Sequence, residues 1–172
     1  MRSIYLGIII CCGIIFSLNA QVNGVFTKKT LPDIEVKDIN GDKVNVSDFG
    51  KNGKITILNF WATWCGPCKL ELNNIADVYE EWVEDYNVEL VAISIDDSRN
   101  TAKVKSFVNA QGWDFQVLLD SNQDIKRAFN FQAPPYTVLT DASGSIIQVH
   151  QGYRNGDEYL LEDKIKEIFN KK

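Results

Sequence analysis

Residues 55–95 limit the fold more than any other stretch. An almost wholly apolar run, Ile55 to Phe60 (ITILNF), is followed by a long segment of helical periodicity and a second apolar run, Leu90 to Ile95 (LVAISI). Short β-branched runs of this kind suit strands buried on both faces. Between them Leu72, Ile75, Tyr79, Trp82, Val83 and Tyr86 recur at three- and four-residue steps, and Glu80, Glu81, Glu84 and Asp85 fall outside that stripe. A buried strand, a long helix and another buried strand make a βαβ unit with parallel pairing.

The flanks add antiparallel elements. Ile34, Val36 and then Val44, Val46 alternate with polar residues around Asn40-Gly41, a favoured two-residue turn, which predicts an N-terminal β-hairpin. Asn52-Gly53 marks another turn. Ser98 to Gln111 reads as a helix with Val104, Phe107 and Val108 inward, Val117 to Leu119 as a short strand, and Asn122 to Phe129 as a short helix. Tyr136 to Thr140 and Ile146 to His150 read as two strands around the turn Asp141-Ala142-Ser143-Gly144. A last helix starts near Asp157, with Leu161, Ile165 and Ile168 inward and Glu162 paired with Lys166 outside. The expectation is an α/β layered domain with a mixed sheet. The four Pro and eleven Gly are scattered, without repeat or Pro-rich linker, so a second domain is not expected.

The N-terminus reads differently. Met1-Arg2 is followed by an uncharged apolar run, Ile4 to Leu18, and then by Asn19-Ala20-Gln21. A positive start, an apolar core of signal-peptide length and a small residue predict an export signal over residues 1–20, cleaved after Ala20. The run is shorter than the about 20 residues of a membrane span. An uncleaved anchor is the alternative, because Leu18 is larger than the residue usually preferred at its place. Lipidation at Cys11 or Cys12 is not expected, since Ile10 and Cys11 stand where lipobox sequences carry Gly, Ala or Ser. Residues 21–30 form a polar lead and 31–172 the domain. The 18 Lys and Arg against 23 Asp and Glu give a net charge of −5 with no basic cluster, which argues against a nucleic-acid surface.

Of the four cysteines, Cys11 and Cys12 belong to the export segment, and a chain of 172 residues needs no disulfide staple. Cys65 and Cys68 remain, in Trp61-Ala62-Thr63-Trp64-Cys65-Gly66-Pro67-Cys68-Lys69, between the buried strand and the long helix. A helix N-terminus offers unpaired N–H groups and the positive end of the dipole, both of which favour a thiolate. Lowering a cysteine pKa from about 8.5 to about 7 makes half of it reactive at neutral pH, for roughly 2 kcal/mol of thiolate stabilisation. Cys65 is expected to ionise, and Pro67 fits the first helical turn. Cys68, one turn in and more buried, is the expected resolving thiol. Cys65 would attack a partner's disulfide and Cys68 would release the reduced partner, or the reverse sequence would oxidise a dithiol. A zinc site is disfavoured, because the domain has no second Cys pair and a single His, His150.

At WCGPCK the sequence resembles the thioredoxin superfamily. With LNFWATWCGPCKLEL, the export signal, the N-terminal hairpin and an insert between Asp96 and Phe131, it is similar to the TlpA/ResA-like thiol-disulfide oxidoreductases from about Leu31 onward. The resemblance implies a thioredoxin-like fold: a mixed central sheet flanked by helices, with an N-terminal β-hairpin and a central α/β insert. It puts Asn59 where thioredoxin proper has a buried Asp beneath the cysteines, and it puts the family's Glu on Glu71, one turn beyond Cys68, as a group that influences proton transfer. A solvated Glu71 is the alternative. It implies a cis peptide at Pro135, before Tyr136, opposite the Cys pair. Pro134, a departure from the family pattern, has no N–H, so a substrate strand would lose one backbone hydrogen bond.

The catalytic residues expected are therefore Cys65, Cys68 and Glu71, with Trp64, Gly66, Pro67, Pro134 and Pro135 contacting substrate. Trp64 would shield the thiolate and offer an apolar contact, whereas Trp82, Trp113 and His150 read as core or surface. No cofactor or metal is expected beyond the redox-active pair. The export signal leads to the expectation of a periplasmic protein, expected to be a monomer, and the resemblance implies that it reduces protein disulfides, for example those of apocytochrome c during maturation, and is recharged by a membrane thiol-electron carrier. Two alternatives stand. One is a peroxiredoxin, although Leu58 and Ala62 occupy the Pro and Thr places of P-x-x-x-T-x-x-C; the other is a non-enzymatic metal-binding or chaperone module.

Overall fold

Ile55–Trp61 (β3), buried along its whole length, is an interior strand of a seven-stranded mixed sheet in the computed structural model, which describes residues 29–171. It runs parallel to Val88–Ser94 (β4), from Ile55 opposite Val88 to Trp61 opposite Ser94. The helix between them, Gly66–Tyr86 (α1), completes the βαβ unit. The export segment and most of the polar lead lie outside the described residues. No described helix is long and apolar enough to cross a membrane.

The N-terminal hairpin, Glu35–Asp38 (β1) and Lys43–Asn45 (β2), pairs Val36 with Val44. Its turn is one residue longer than expected. Asp38 N–H bonds Asp42 O at 2.9 Å, and the Asp38 carboxylate accepts the N–H of Asn40 and of Asp42, which leaves Ile39 to Gly41 as the loop. Val46, expected in the second strand, instead starts a buried 3-10 turn, Val46–Gly50, where the Asn45 side chain accepts Ser47 N–H at 2.9 Å.

The insert is Thr101–Gln111 (α2), Gln116–Leu119 (β5) and Asp124–Phe129 (α3). β5 lies parallel to β4 and antiparallel to β1, and so ties the hairpin into the sheet. Both helices start later than their periodicity suggests, each because an Asp carboxylate caps a turn ahead of it. Asp97 holds residues 97–100 as a turn before α2, and Asp120 accepts Ile125 and Lys126 N–H at 3.2 and 2.8 Å before α3.

Tyr136–Thr140 (β6) runs antiparallel to β3, and Ile146–Gln151 (β7) closes that edge. The last helix, Asp157–Phe169 (α4), packs on α1 and carries the Glu162–Lys166 pair at 2.7 Å. Successive β3 residues face opposite sides of the sheet. Phe60 meets Phe129, Phe131 and Tyr136, while Trp61 meets Phe107 and Trp113. On α1, Leu72, Ile75 and Trp82 are buried, but Val83, expected inward, is 40% exposed because Trp82 fills the inward place at that turn.

Candidate active site

The end of β3 delivers the chain into α1 through Ala62 to Cys65. Cys65 is the N-cap of α1, in an extended conformation, and its Sγ accepts the N–H of Cys68 at 3.3 Å. That bond satisfies one of the donors a helix start leaves open, and it would stabilise negative charge on the sulfur in the reduced form. Gly66 opens the helix and Pro67 follows it, where a missing N–H breaks no helical bond. Cys65 and Cys68 are joined as a disulfide with Cα atoms 5.4 Å apart. Cys65 is 6% exposed and Cys68 fully buried, so a partner sulfur can reach only the first. Trp64, 65% exposed, with Gly66 and Pro67 also at the surface, makes an apolar rim beside it. Trp61, on the other side of the motif, is core, as are Trp82 and Trp113.

Two further segments converge on this end of the sheet. The register Phe60 opposite Tyr136 sets the start of β6 beside the end of β3, so Pro135, one residue earlier, lies at the level of the Cys loop. The Pro134–Pro135 peptide is cis, Pro135 is buried and Pro134 half-buried, with the Pro135 carbonyl accepting Gly152 N–H at 2.8 Å. The loop before Cys65 is held from the end of β4. Asp96, buried, accepts Thr63 N–H at 2.8 Å, Thr63 Oγ1–H at 2.7 Å and Ser94 Oγ–H at 2.9 Å.

Beneath the cysteines a polar chain crosses the core. Asn59 Nδ2 donates to Thr137 Oγ1 at 2.9 Å, and Thr137 Oγ1 donates to Glu71 Oε1 at 2.9 Å. Glu71 is 4% exposed, not the solvated glutamate of the alternative. Burial pushes its carboxyl above the usual range, against the opposing hydrogen bonds of Asn59 and Thr137. Asn59 Oδ1 and Glu71 Oε2 have no hydrogen-bond partner. His150 is half-exposed on β7, with Nε2 3.4 Å from Asp157 Oδ2.

Sequence reasoning missed two residues of this site. Asp96 served only as the boundary of the insert, and Thr137 only as part of a strand. Each breaks the apolar character of a buried strand end, Asp96 after LVAISI and Thr137 after the two prolines, and that interruption is the signal that could have found them. Leu58 and Ala62, in the places of the peroxidatic Pro and Thr, are both fully buried in the apolar core. Among the described residues no cluster of three or more His, Cys, Asp or Glu is placed to hold a metal ion.

Residues 27–149 match the AhpC/TSA family model. The thiol-disulfide oxidoreductase ResA of Bacillus thuringiensis is 32% identical, over 94% of this chain and 91% of its own length. The chain belongs to the AhpC/TSA family, among its ResA-like thiol-disulfide oxidoreductases. ResA of Bacillus subtilis is 33% identical over 70% of this chain and 65% of its own. Solved structures agree on the thioredoxin-like fold. A thioredoxin-like protein from Porphyromonas gingivalis superposes with TM-score 0.73 at 40% identity, covering 81% of this chain and 92% of that one. A putative thiol:disulfide interchange protein DsbE from Chlorobium tepidum superposes with TM-score 0.72 at 26% identity, covering 83% and 96%. The CGPC pair therefore sits on the fold, and in the family, of a thiol-disulfide oxidoreductase.

Proposed function

We propose that this oxidoreductase is exported to the periplasm and works as a reductant of protein disulfides, with Cys65 as nucleophile, Cys68 as resolving thiol and Glu71 as the proton-exchanging group. The observation that carries the reading is the asymmetry of the pair. Cys65, at the helix start, accepts an N–H and reaches the surface beside Trp64, while Cys68 is fully buried, one helical turn before the buried Glu71. In the forward reaction the Cys65 thiolate bonds to one sulfur of a partner disulfide and the other sulfur leaves with the electron pair. Cys68 then attacks Cys65 Sγ, the Cys65–Cys68 bond forms, the bond to the partner breaks, and the Cys68 proton passes to Glu71. Two electrons have moved from the cysteine pair to the partner.

The disulfide must then be reduced by a thiol donor, for which a membrane thiol-electron carrier fits an exported protein. Apocytochrome c dithiols held as a disulfide are one acceptor class that the family resemblance suggests. Trp64, Gly66, Pro67, Pro134 and Pro135 form the contact surface for that partner, and Pro134 limits backbone pairing there. The test is partner trapping with Cys68→Ala, which removes the resolving thiol and should leave partners joined to Cys65 in periplasmic extracts. Recovery of no mixed disulfides, or rapid peroxide consumption by the purified protein without a disulfide substrate, would overturn the proposal.

A further inference from the structure

A cavity of about 80 Å³ lies between α1, β6, β7 and α4, on the side of Glu71 away from the exposed rim of the Cys pair, and its wall includes Glu71, Thr137, Gln148, His150, Asp157 and Glu158. A water needs on the order of 10 to 15 Å³ of such volume and two or more polar partners, so this space has room for several. Glu71 belongs to this wall, and its buried Oε2 is unpartnered by any protein group. At its outer side His150 and Asp157, with side chains 45% and 22% exposed, stand 3.4 Å apart. The strand register places His150 directly opposite Thr137, whose hydroxyl holds the other Glu71 oxygen. None of Trp64, Cys65, Gly66 or Pro67 lines the cavity.

We propose that this cavity is a proton port, in which His150, oriented by Asp157, passes the proton of Glu71 to and from bulk water. The inference rests on the reading of Glu71 as the proton-exchanging group and adds the path and the residues that serve it. While a partner is joined to Cys65 its surface covers the front of the site. The proton that Cys68 gives up on closing the disulfide goes to Glu71, and the port lets it leave by a route that the partner does not cover. An imidazole can accept and donate a proton near neutral pH, and the Asp157 carboxylate 3.4 Å from Nε2 stands beside it. When the disulfide is reduced again the Cys68 sulfur leaves as thiolate, takes a proton from Glu71, and the carboxylate is refilled along the same path.

Apart from the neutral Gln148, the other polar groups of the wall around Glu71 are already committed. Asn59 on β3 and Thr137 on β6 form the buried chain. On α4, Glu158 accepts the Tyr153 hydroxyl and Gly156 N–H, and Asn74 on α1 donates to the same cluster. His150 and Asp157 are left as the charged pair open to both water and the cavity. Their charges act on Glu71 in opposite directions: a protonated His150 favours the carboxylate, and Asp157 disfavours it.

The pH dependence of the resolving step, followed by stopped-flow fluorescence on the whole chain with a disulfide-bonded peptide, tests this. His150→Gln should slow the step, move the Glu71-dependent inflection to higher pH, and respond to imidazole added to the buffer with recovery of the rate. Asp157→Asn should move the inflection to lower pH; Asn keeps an oxygen for the Arg154 N–H that Asp157 accepts at 2.8 Å, so α4 retains its start. Glu71→Gln should abolish the inflection, and His150→Gln should then add nothing. If Glu71→Gln abolishes it but the other two leave it in place, or imidazole restores nothing, the port is refuted while the role of Glu71 stands. If Glu71→Gln leaves the profile unchanged, the reading of Glu71 fails and the port with it.

Discussion

Replacing Asp96 with Ala tests whether the loop that displays Trp64 and Cys65 is anchored from β4. The Asp96 side chain is buried and takes three donors, Thr63 N–H, Thr63 Oγ1–H and Ser94 Oγ–H, at 2.7 to 2.9 Å. Hydrogen bonds to a charged acceptor contribute about 1.5 to 3 kcal/mol each. The Thr63 hydroxyl lies in a half-buried residue and can turn to water, so the lost bonds of Thr63 N–H and Ser94 carry most of the cost. Asp96→Ala should therefore destabilise the domain by about 3 kcal/mol in urea unfolding, or about 6 to 12 °C in Tm for a domain of this size. Exchange with a disulfide-bonded protein should slow as well, because Thr63, two residues before Cys65, would lose its anchor to the end of β4. A double-mutant cycle with Thr63→Val isolates the anchor: the loss in the double variant should fall short of the sum of the two single losses by about 1 kcal/mol. Additive losses, or a total below about 1 kcal/mol, would mean that the loop is not held through Asp96.

Trp64→Ala should leave unfolding free energy within about 0.5 kcal/mol of the parent, since the side chain is 65% exposed, yet slow reduction of protein disulfides more than of a small disulfide. Equal slowing of both would remove the partner-contact role. Gly144→Ala should destabilise by about 3 kcal/mol, from left-handed strain plus overpacking. Gly144 has φ +77° and an added Cβ would lie 2.4 Å from the Gly50 carbonyl oxygen, in the contact that seats the β6–β7 turn on the 3-10 turn. A loss under about 1 kcal/mol in urea unfolding would show that the two turns separate freely.

The elements readable in the sequence were those whose pattern is set by burial alone. β3, β6 and α1 follow directly from apolar runs and stripe, because each meets the core along its length. Starts shifted where a side chain bonds backbone: Asp38, Asp97 and Asp120 each hold a turn that periodicity does not register. The Cys pair was legible because its chemistry depends on local spacing at a helix start, and the cis Pro134–Pro135 peptide through family resemblance. The remainder of the site was not, because it is assembled across strands. Asn59, Thr137 and Glu71 belong to β3, β6 and α1, and only the registers Asn59 opposite Thr137 and Thr137 opposite His150 bring these groups together.

Glu71 and the groups it meets cost the fold stability. A buried acceptor without a partner costs about 1 to 3 kcal/mol, and the Asn59–Thr137–Glu71 chain contains two, in a core whose other buried carboxylates, such as Asp96 and Asp120, are hydrogen-bonded. Because burial holds the Glu71 carboxyl above its ordinary value of 4.5, the folded chain keeps a proton that the unfolded chain has released once pH exceeds that value. With more protons bound folded than unfolded, stability falls as pH rises from about 4.5 through the raised folded value, and stays lowered above it. Glu71→Gln carries no such proton and should flatten that dependence, measured as urea unfolding between pH 4 and pH 8. Glu71→Met removes the unpartnered oxygen but also the acceptor of the Thr137 hydroxyl, so it should raise stability at neutral pH by no more than about 1 kcal/mol while slowing the resolving step. The opposite pair of results, lower stability with unchanged exchange, would make Glu71 a structural anchor for Thr137 and leave the proton to another group. A residue that costs the fold free energy and speeds the reaction is expected where function, not packing, fixes the side chain.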